Sequence, residues 1–232
     1  QRAFRQGYSL DRANSSITAV RATPELLVVE TQNHYYTGNI STGGPSLVTG
    51  AVASSVPRWL PDTRSLFIGH HYSLAPLPTQ PMATRRADAR IGHFASTVLD
   101  FNDDSARTPR KRMLHRWRLE KKDPAAELSE PVKPITFWID RNVPLVYRDT
   151  VRSAILEWNK AFERIGFRDA IVVQQQPDDA TFDTLDFGIA SVRWMVNAEN
   201  WFSAIGQSQV DPRSGEILDA DVAFESMSLR AQ

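Results

Sequence analysis

Apolar and polar positions alternate in short runs through the first half of the chain and adopt helical spacing only once, after residue 131. In SSITAVRATPELLVVETQNHYYTG, residues 15 to 38, two runs of β-branched and aromatic residues are separated by Thr23-Pro24-Glu25, which predicts a β-hairpin. Residues 41 to 50, STGGPSLVTG, read as loop, and five prolines between Ser54 and Pro81 (Pro57, Pro61, Pro76, Pro78 and Pro81) leave room for strands and loops but no long helix. From 112 to 121, Met113, His115, Trp117 and Leu119 alternate with Leu114, Arg116, Arg118 and Glu120, the period of a half-exposed strand. The charged, proline-containing stretch 121 to 134 reads as a linker, so the chain is expected to divide into a β-rich domain, 1–130, and a second domain, 131–232.

The second half opens with a short buried-strand pattern, ITFWIDRNVP, and continues into a helix expected from Leu145 to Ile165. Val151, Ala154, Ile155, Trp158, Ala161, Phe162 and Ile165 fall three and four apart on one stripe, and Gly166 is placed to cap the C-terminus. AIVVQQ and LDFGIASVRWMV then read as strands, and residues 202 to 224 as two strands around a turn at Asp211-Pro212-Arg213-Ser214-Gly215. Strand, helix, strand, strand and hairpin in that order make the fold class α+β.

Composition narrows the function classes. The 232 residues can bury a substantial core. With 27 Lys+Arg balanced by 27 Asp+Glu, the chain lacks the excess of cations that grips a phosphate backbone, and nucleic acid is not an expected partner. There is no Cys, which excludes disulfides, thiolate metal clusters and a cysteine nucleophile. No run of 18 apolar residues is present, so no membrane span is expected. The sequence begins at Gln1 without a basic-then-apolar leader and stops at Gln232 without a cap or turn signal, and both ends are expected to be cut from a longer product.

The candidate chemistry is scattered. His34, His70, His71, His93 and His115 show no spacing that sets two imidazoles on one helix face, and adjacent His70 and His71 would point to opposite faces of a strand. Arg107, Arg110, Lys111, Arg112, Arg116, Arg118, Lys121 and Lys122 form a basic run with Trp117 interleaved; its two readings are an anion patch and, favoured by the zero net charge, a solvated strand face. Asp100, Asp103, Asp104, Asp178, Asp179, Asp219 and Asp221 have no His or metal motif beside them and read as turn and cap residues, which leaves a metal-independent hydrolase the weakest of the functional readings. Calcium on Asp211, Glu216, Asp219 and Asp221 is the remaining metal option, without an EF-hand pattern. GxxxxGK[ST], GxGxxG and GxSxG are absent.

Three stretches in order carry a family resemblance: residues 81 to 101, PMATRRADARIGHFASTVLDF; residues 132 to 173, with Trp158-Asn159-Lys160-Ala161-Phe162 leading to Gly166-Phe167; and residues 205 to 224, with the turn Asp211 to Leu218, DPRSGEIL. Together they resemble bacterial exported zinc-dependent metallopeptidases of metzincin type, in which a β-rich N-terminal region precedes the peptidase domain. The resemblance implies a mixed sheet whose last strands border a substrate cleft, with Gly206, Gln207, Ser208, Gln209 and Val210 as the edge along which an extended peptide adds by main-chain hydrogen bonds. It also implies zinc in the complete protein, an exported (periplasmic or extracellular) location, and as partners a C-terminal remainder of the peptidase and a peptide or protein substrate. The family's HExxHxxGxxH does not occur in these 232 residues, so no catalytic or metal-ligating residue is carried over and the chain is expected to be inactive alone. The alternative reading is a non-catalytic peptide- or glycan-binding, propeptide-like module using Tyr35, Tyr36 and Trp59. The substrate-edge residues have an alternative too, as an internal strand paired on both sides.

Overall fold

A computed structural model describes residues 7–40, 60–197 and 202–230. It divides into two units, residues 1–76 and residues 77–232. The first is a three-stranded antiparallel sheet of β1 (Ser9–Ala22), β2 (Leu27–Tyr36) and β3 (Ser65–Leu74), with β2 in the middle. The expected hairpin is β1–β2. Its turn is held by Thr23, whose N–H donates to the Leu26 carbonyl at 2.8 Å while its hydroxyl accepts from the Glu25 and Leu26 N–H groups.

The second unit begins with the antiparallel pair β4 (Ala95–Leu99) and β5 (Arg110–Leu114). A five-stranded mixed sheet follows, made of β6 (Ile135–Ile139), β7 (Ile171–Gln175), β8 (Ser191–Met195), β9 (Ala204–Val210) and β10 (Ile217–Glu225) in the spatial order β7-β6-β8-β10-β9. All pairs are parallel except β9–β10. The order puts β9 at one edge. Helix α1 (Leu145–Leu156) and the short α2 (Asn159–Glu163) connect β6 to β7, and α3 (Ser226–Arg230) follows β10. The fold is α+β, β-rich with a mixed sheet.

The two faces of this sheet have different chemistry because strand residues alternate. One face carries Ile135, Ile139, Ile171, Val173 and Trp194 in the buried core, with Val151, Ile155 and Phe162 of the helices packed against it. The other carries the buried Ser191, Asp219 and Glu225 and the half-buried Asp221, a polar set.

Three local outcomes differ from the sequence expectation. The helical run does not continue unbroken to Ile165: it is interrupted around Glu157 and Trp158, where the Asn159 side-chain amide donates to the Ile171 carbonyl at 2.9 Å and accepts from the Ile171 N–H at 2.8 Å. Asn159 thus supplies β7 with hydrogen bonds that a neighbouring backbone would give. At the helix end, Gly166 (φ +90°) donates to the Glu163 carbonyl and Phe167 to that of Phe162, the paired bonds of a Schellman cap. The strand expected over 112 to 121 ends at Leu114, because the Arg116 backbone turns to pair with Gly215 and Ile217, and Trp117 goes on to meet Phe137 at 6.2 Å. Finally, residues 185–190 form turns, and the strand expected there begins at Ser191.

Candidate functional site

The site is built on β9 and the turn that follows it. Glu225 N–H donates to the Ser203 carbonyl, which makes that pair a hydrogen-bonded one, and in an antiparallel ladder such pairs alternate. With Gly206 opposite Val222 and Gln207 opposite Asp221, the inward-bonding positions are Ile205, Gln207 and Gln209. Ala204, Gly206 and Ser208 therefore aim their N–H and C=O groups away from β10. The contact an added Gly206 Cβ would make with Val222, 3.9 Å, fits the closer approach of a non-hydrogen-bonded pair. From Ala204 to Gln209 the strand is exposed, and among the described residues no strand pairs with its outer edge. Of the five residues expected to form a substrate edge, Gly206 and Ser208 offer main-chain groups to the open side, Gln207 and Gln209 bond inward, and Val210 is partly buried where the turn begins.

The turn is rigid for reasons legible atom by atom. The fully buried Asp211 carboxylate accepts from the Arg213 N–H at 2.8 Å and from its guanidinium at 3.0 and 2.7 Å, and these bonds hold its carboxyl below the usual aspartate range. Ser214 and Gly215 N–H both donate to the Asp211 carbonyl, and Asp211 N–H closes the loop onto the Glu216 carbonyl. Glu216, also buried, takes a two-pronged bond from Arg118 at 2.8 and 2.6 Å. Arg118 and Arg213 also donate to the Gln80 and Pro78 carbonyls. Two guanidinium–carboxylate pairs thus hold the turn that joins β9 to β10.

Behind β10 sit Asp219 and Asp221. Asp221 accepts from the Ser191 hydroxyl at 2.5 Å, and Asp219 from the N–H groups of Ala220 and Gly188. Burial first, and the neighbouring Asp221 charge second, push the Asp219 carboxyl up to about 6. The calcium option would need Asp211, Glu216, Asp219 and Asp221 to share one ion. Asp211 and Glu216 instead face arginines, and among the described residues no group of three or more His, Asp or Glu could hold a metal.

On the opposite face, beside α1, lies an open apolar groove of about 660 Å³ bordered by Tyr147, Trp158, Val192, Trp194, Val222 and Phe224. Trp158, in the helical stripe, is 65% exposed. Four of the five histidines make local bonds: His34 with Asp11 and Ser65, His70 with Asn33, His71 with Glu30, and His115 with Ser96. Tyr36 lies exposed on the three-stranded sheet and Tyr35 partly so, while Trp59 falls outside the described residues. What the sequence reading missed is the Ser191–Asp221 and Gly188–Asp219 pairing, which joins residues about thirty positions apart and leaves no local signal. Among the described residues no helix is long and apolar enough to cross a membrane.

No curated protein and no solved structure matches the chain. One family model does, over residues 1–122, a span that takes in the three-stranded sheet and the β4–β5 pair but not the five-stranded sheet with its open edge. Since that match covers more than half of the 232 residues, the chain belongs to the family described as Domain of unknown function (DUF5117).

Proposed function

We propose that this chain is the N-terminal portion of a zinc-dependent metallopeptidase of metzincin type, in which β9 receives the extended backbone of a peptide substrate. The observation that carries the reading is the outer edge of β9: Ala204, Gly206 and Ser208 present main-chain donors and acceptors that no strand among the described residues pairs, next to a turn held by the Asp211–Arg213 and Glu216–Arg118 pairs. Such an edge binds a peptide by its backbone and fixes its direction without reading its sequence. The apolar groove beside α1 also supports it, as a surface that the helix bearing HExxHxxGxxH would cover. An uncovered apolar surface is what the reading expects of this portion by itself, and it lies beside α1 rather than across the sheet, where buried carboxylates and hydroxyls already fill the face.

Zinc has no place among the described side chains, since their histidines and carboxylates gather in no set of three. The chemistry of peptide cleavage is therefore assigned to a segment outside these residues, and the role proposed for this chain is to hold the substrate strand.

Edge pairing is tested by proline. Ser208→Pro removes an outward N–H and leaves the inward bonds of Gln207 and Gln209 in place, whereas Gln207→Pro removes a rung of the β9–β10 ladder. Binding of a labelled extended peptide, followed by fluorescence anisotropy, is expected to weaken about tenfold in Ser208→Pro with an unchanged circular dichroism spectrum, on the loss of one or more main-chain hydrogen bonds at about 1 kcal/mol each. Undiminished binding by a folded Ser208→Pro variant contradicts the edge assignment.

A further inference from the structure

A second surface in the unit formed by residues 77–232 belongs neither to the peptide edge nor to the apolar groove. The loop of the β4–β5 hairpin is closed by the Asp100 N–H bond to the Pro109 carbonyl, and Asp103 fixes its interior by accepting from the Ser105 N–H and hydroxyl. Beside it is a groove of about 450 Å³ lined by the cations Arg86, Arg107, Arg110, Lys111 and Arg112. Two carboxylates share the lining, Asp100 and Asp103, so its net charge is +3. Lys111 pairs with Asp100, but among the described residues no carboxylate is within ion-pairing distance of Arg86, Arg107, Arg110 or Arg112. Four unpaired guanidinium groups around one concavity, on a chain of zero net charge, mark a local excess whose planar forks match tetrahedral oxyanions.

The same hairpin end carries exposed apolar side chains. Leu99, directly opposite Arg110 and on its face of the hairpin, is 57% exposed, and Phe101, at the start of the closed loop, is 72% exposed. A soluble small anion gives these side chains nothing to contact. A nucleic acid finds no aromatic ring lining the groove on which a base could stack. An anionic bilayer satisfies both features at once, with phosphate headgroups at the arginines and the interfacial acyl region at Leu99 and Phe101. We propose that the β4–β5 hairpin end is a peripheral docking surface for anionic lipid, with Arg107 and Arg110 on headgroup phosphates and Leu99 and Phe101 inserted at the interface. This surface is independent of the peptidase reading and stands or falls without it.

The test is co-sedimentation of the 232-residue chain with phosphatidylcholine vesicles, with and without about one third phosphatidylglycerol. Binding is expected only to the anionic vesicles and is lost in 0.5 M NaCl. Replacing both cations in Arg107→Ala/Arg110→Ala is expected to weaken it roughly thirtyfold, and Phe101→Ser roughly tenfold at unchanged lipid charge. All three positions are exposed, so the variants keep the wild-type circular dichroism spectrum. Equal binding to neutral vesicles, no binding to anionic vesicles at low salt, or full binding by the double variant overturns the proposal. So does a Phe101→Ser variant that binds as wild type while soluble tripolyphosphate competes the vesicles away, since the surface is then a small-anion site only.

Discussion

Replacing Gly215 by Ala is expected to destabilise the unit containing it by about 3 kcal/mol or more, and to lower its thermal midpoint by roughly 10 °C. Two costs add. Gly215 sits at φ +77°, where a side chain costs about 1 to 2 kcal/mol. An added Cβ would also lie 2.5 Å from the Leu114 carbonyl oxygen, a backbone atom that cannot rotate away, and relieving such overlap costs about 1 to 3 kcal/mol. Gly188 separates the two: its φ is +91°, yet nothing lies within 4 Å of an added Cβ, so Gly188→Ala carries the conformational cost alone. Thermal unfolding of both variants by tryptophan fluorescence checks this, and equal losses contradict the close approach of the turn to Leu114. The larger effect at Gly215 bears on the proposed peptide edge because the same turn joins β9 to β10.

Asp219→Asn is expected to stabilise the protein by about 2 kcal/mol at pH 8 and to leave it nearly unchanged at pH 4. The sign follows from proton counting. The folded carboxyl, raised to about 6, keeps its proton where the unfolded chain near 3.8 has already lost it. Between those values the unfolded state binds fewer protons, so wild-type stability falls as pH rises from about 4 to 6 and then levels off. One pKa unit corresponds to 1.36 kcal/mol, and residual water at the carboxylate reduces the full figure. Asparagine keeps an oxygen to accept from Ala220 and Gly188 and removes the charge that faces Asp221. Urea midpoints from pH 4 to 8 decide it: a wild-type slope that persists in Asp219→Asn assigns the titration to another group.

Local signals in the sequence located much of the fold. Thr23-Pro24-Glu25 marks the β1–β2 turn because its bonds lie within four residues, and Gly166 marks a helix end because the cap needs a positive φ. The alternating runs on either side of Asp211 to Gly215 likewise correspond to β9 and β10. What stayed hidden depends on distant partners. Asn159 resembles an ordinary helical residue until Ile171 is placed beside it, and the strand through Met113 ends early only because Gly215 and Ile217 claim the Arg116 backbone. In the site, the charges of Asp211, Glu216, Asp219 and Asp221 are visible in the sequence as one acidic group, but their division between arginines and buried hydroxyl and amide donors is not. That Arg86, Arg107, Arg110 and Arg112 have no carboxylate partner among the described residues is equally invisible, since a basic run shows the cations and not where the carboxylates go.

Whether these residues form part of a zinc peptidase is decided by intact mass together with metal content on the polypeptide bearing this sequence, purified from its native source. About one zinc per molecule or complex, with a mass exceeding that of the 232 residues alone or a co-purifying second polypeptide, is the expected result. A mass equal to these residues, with no zinc, contradicts the claim and leaves a binding module.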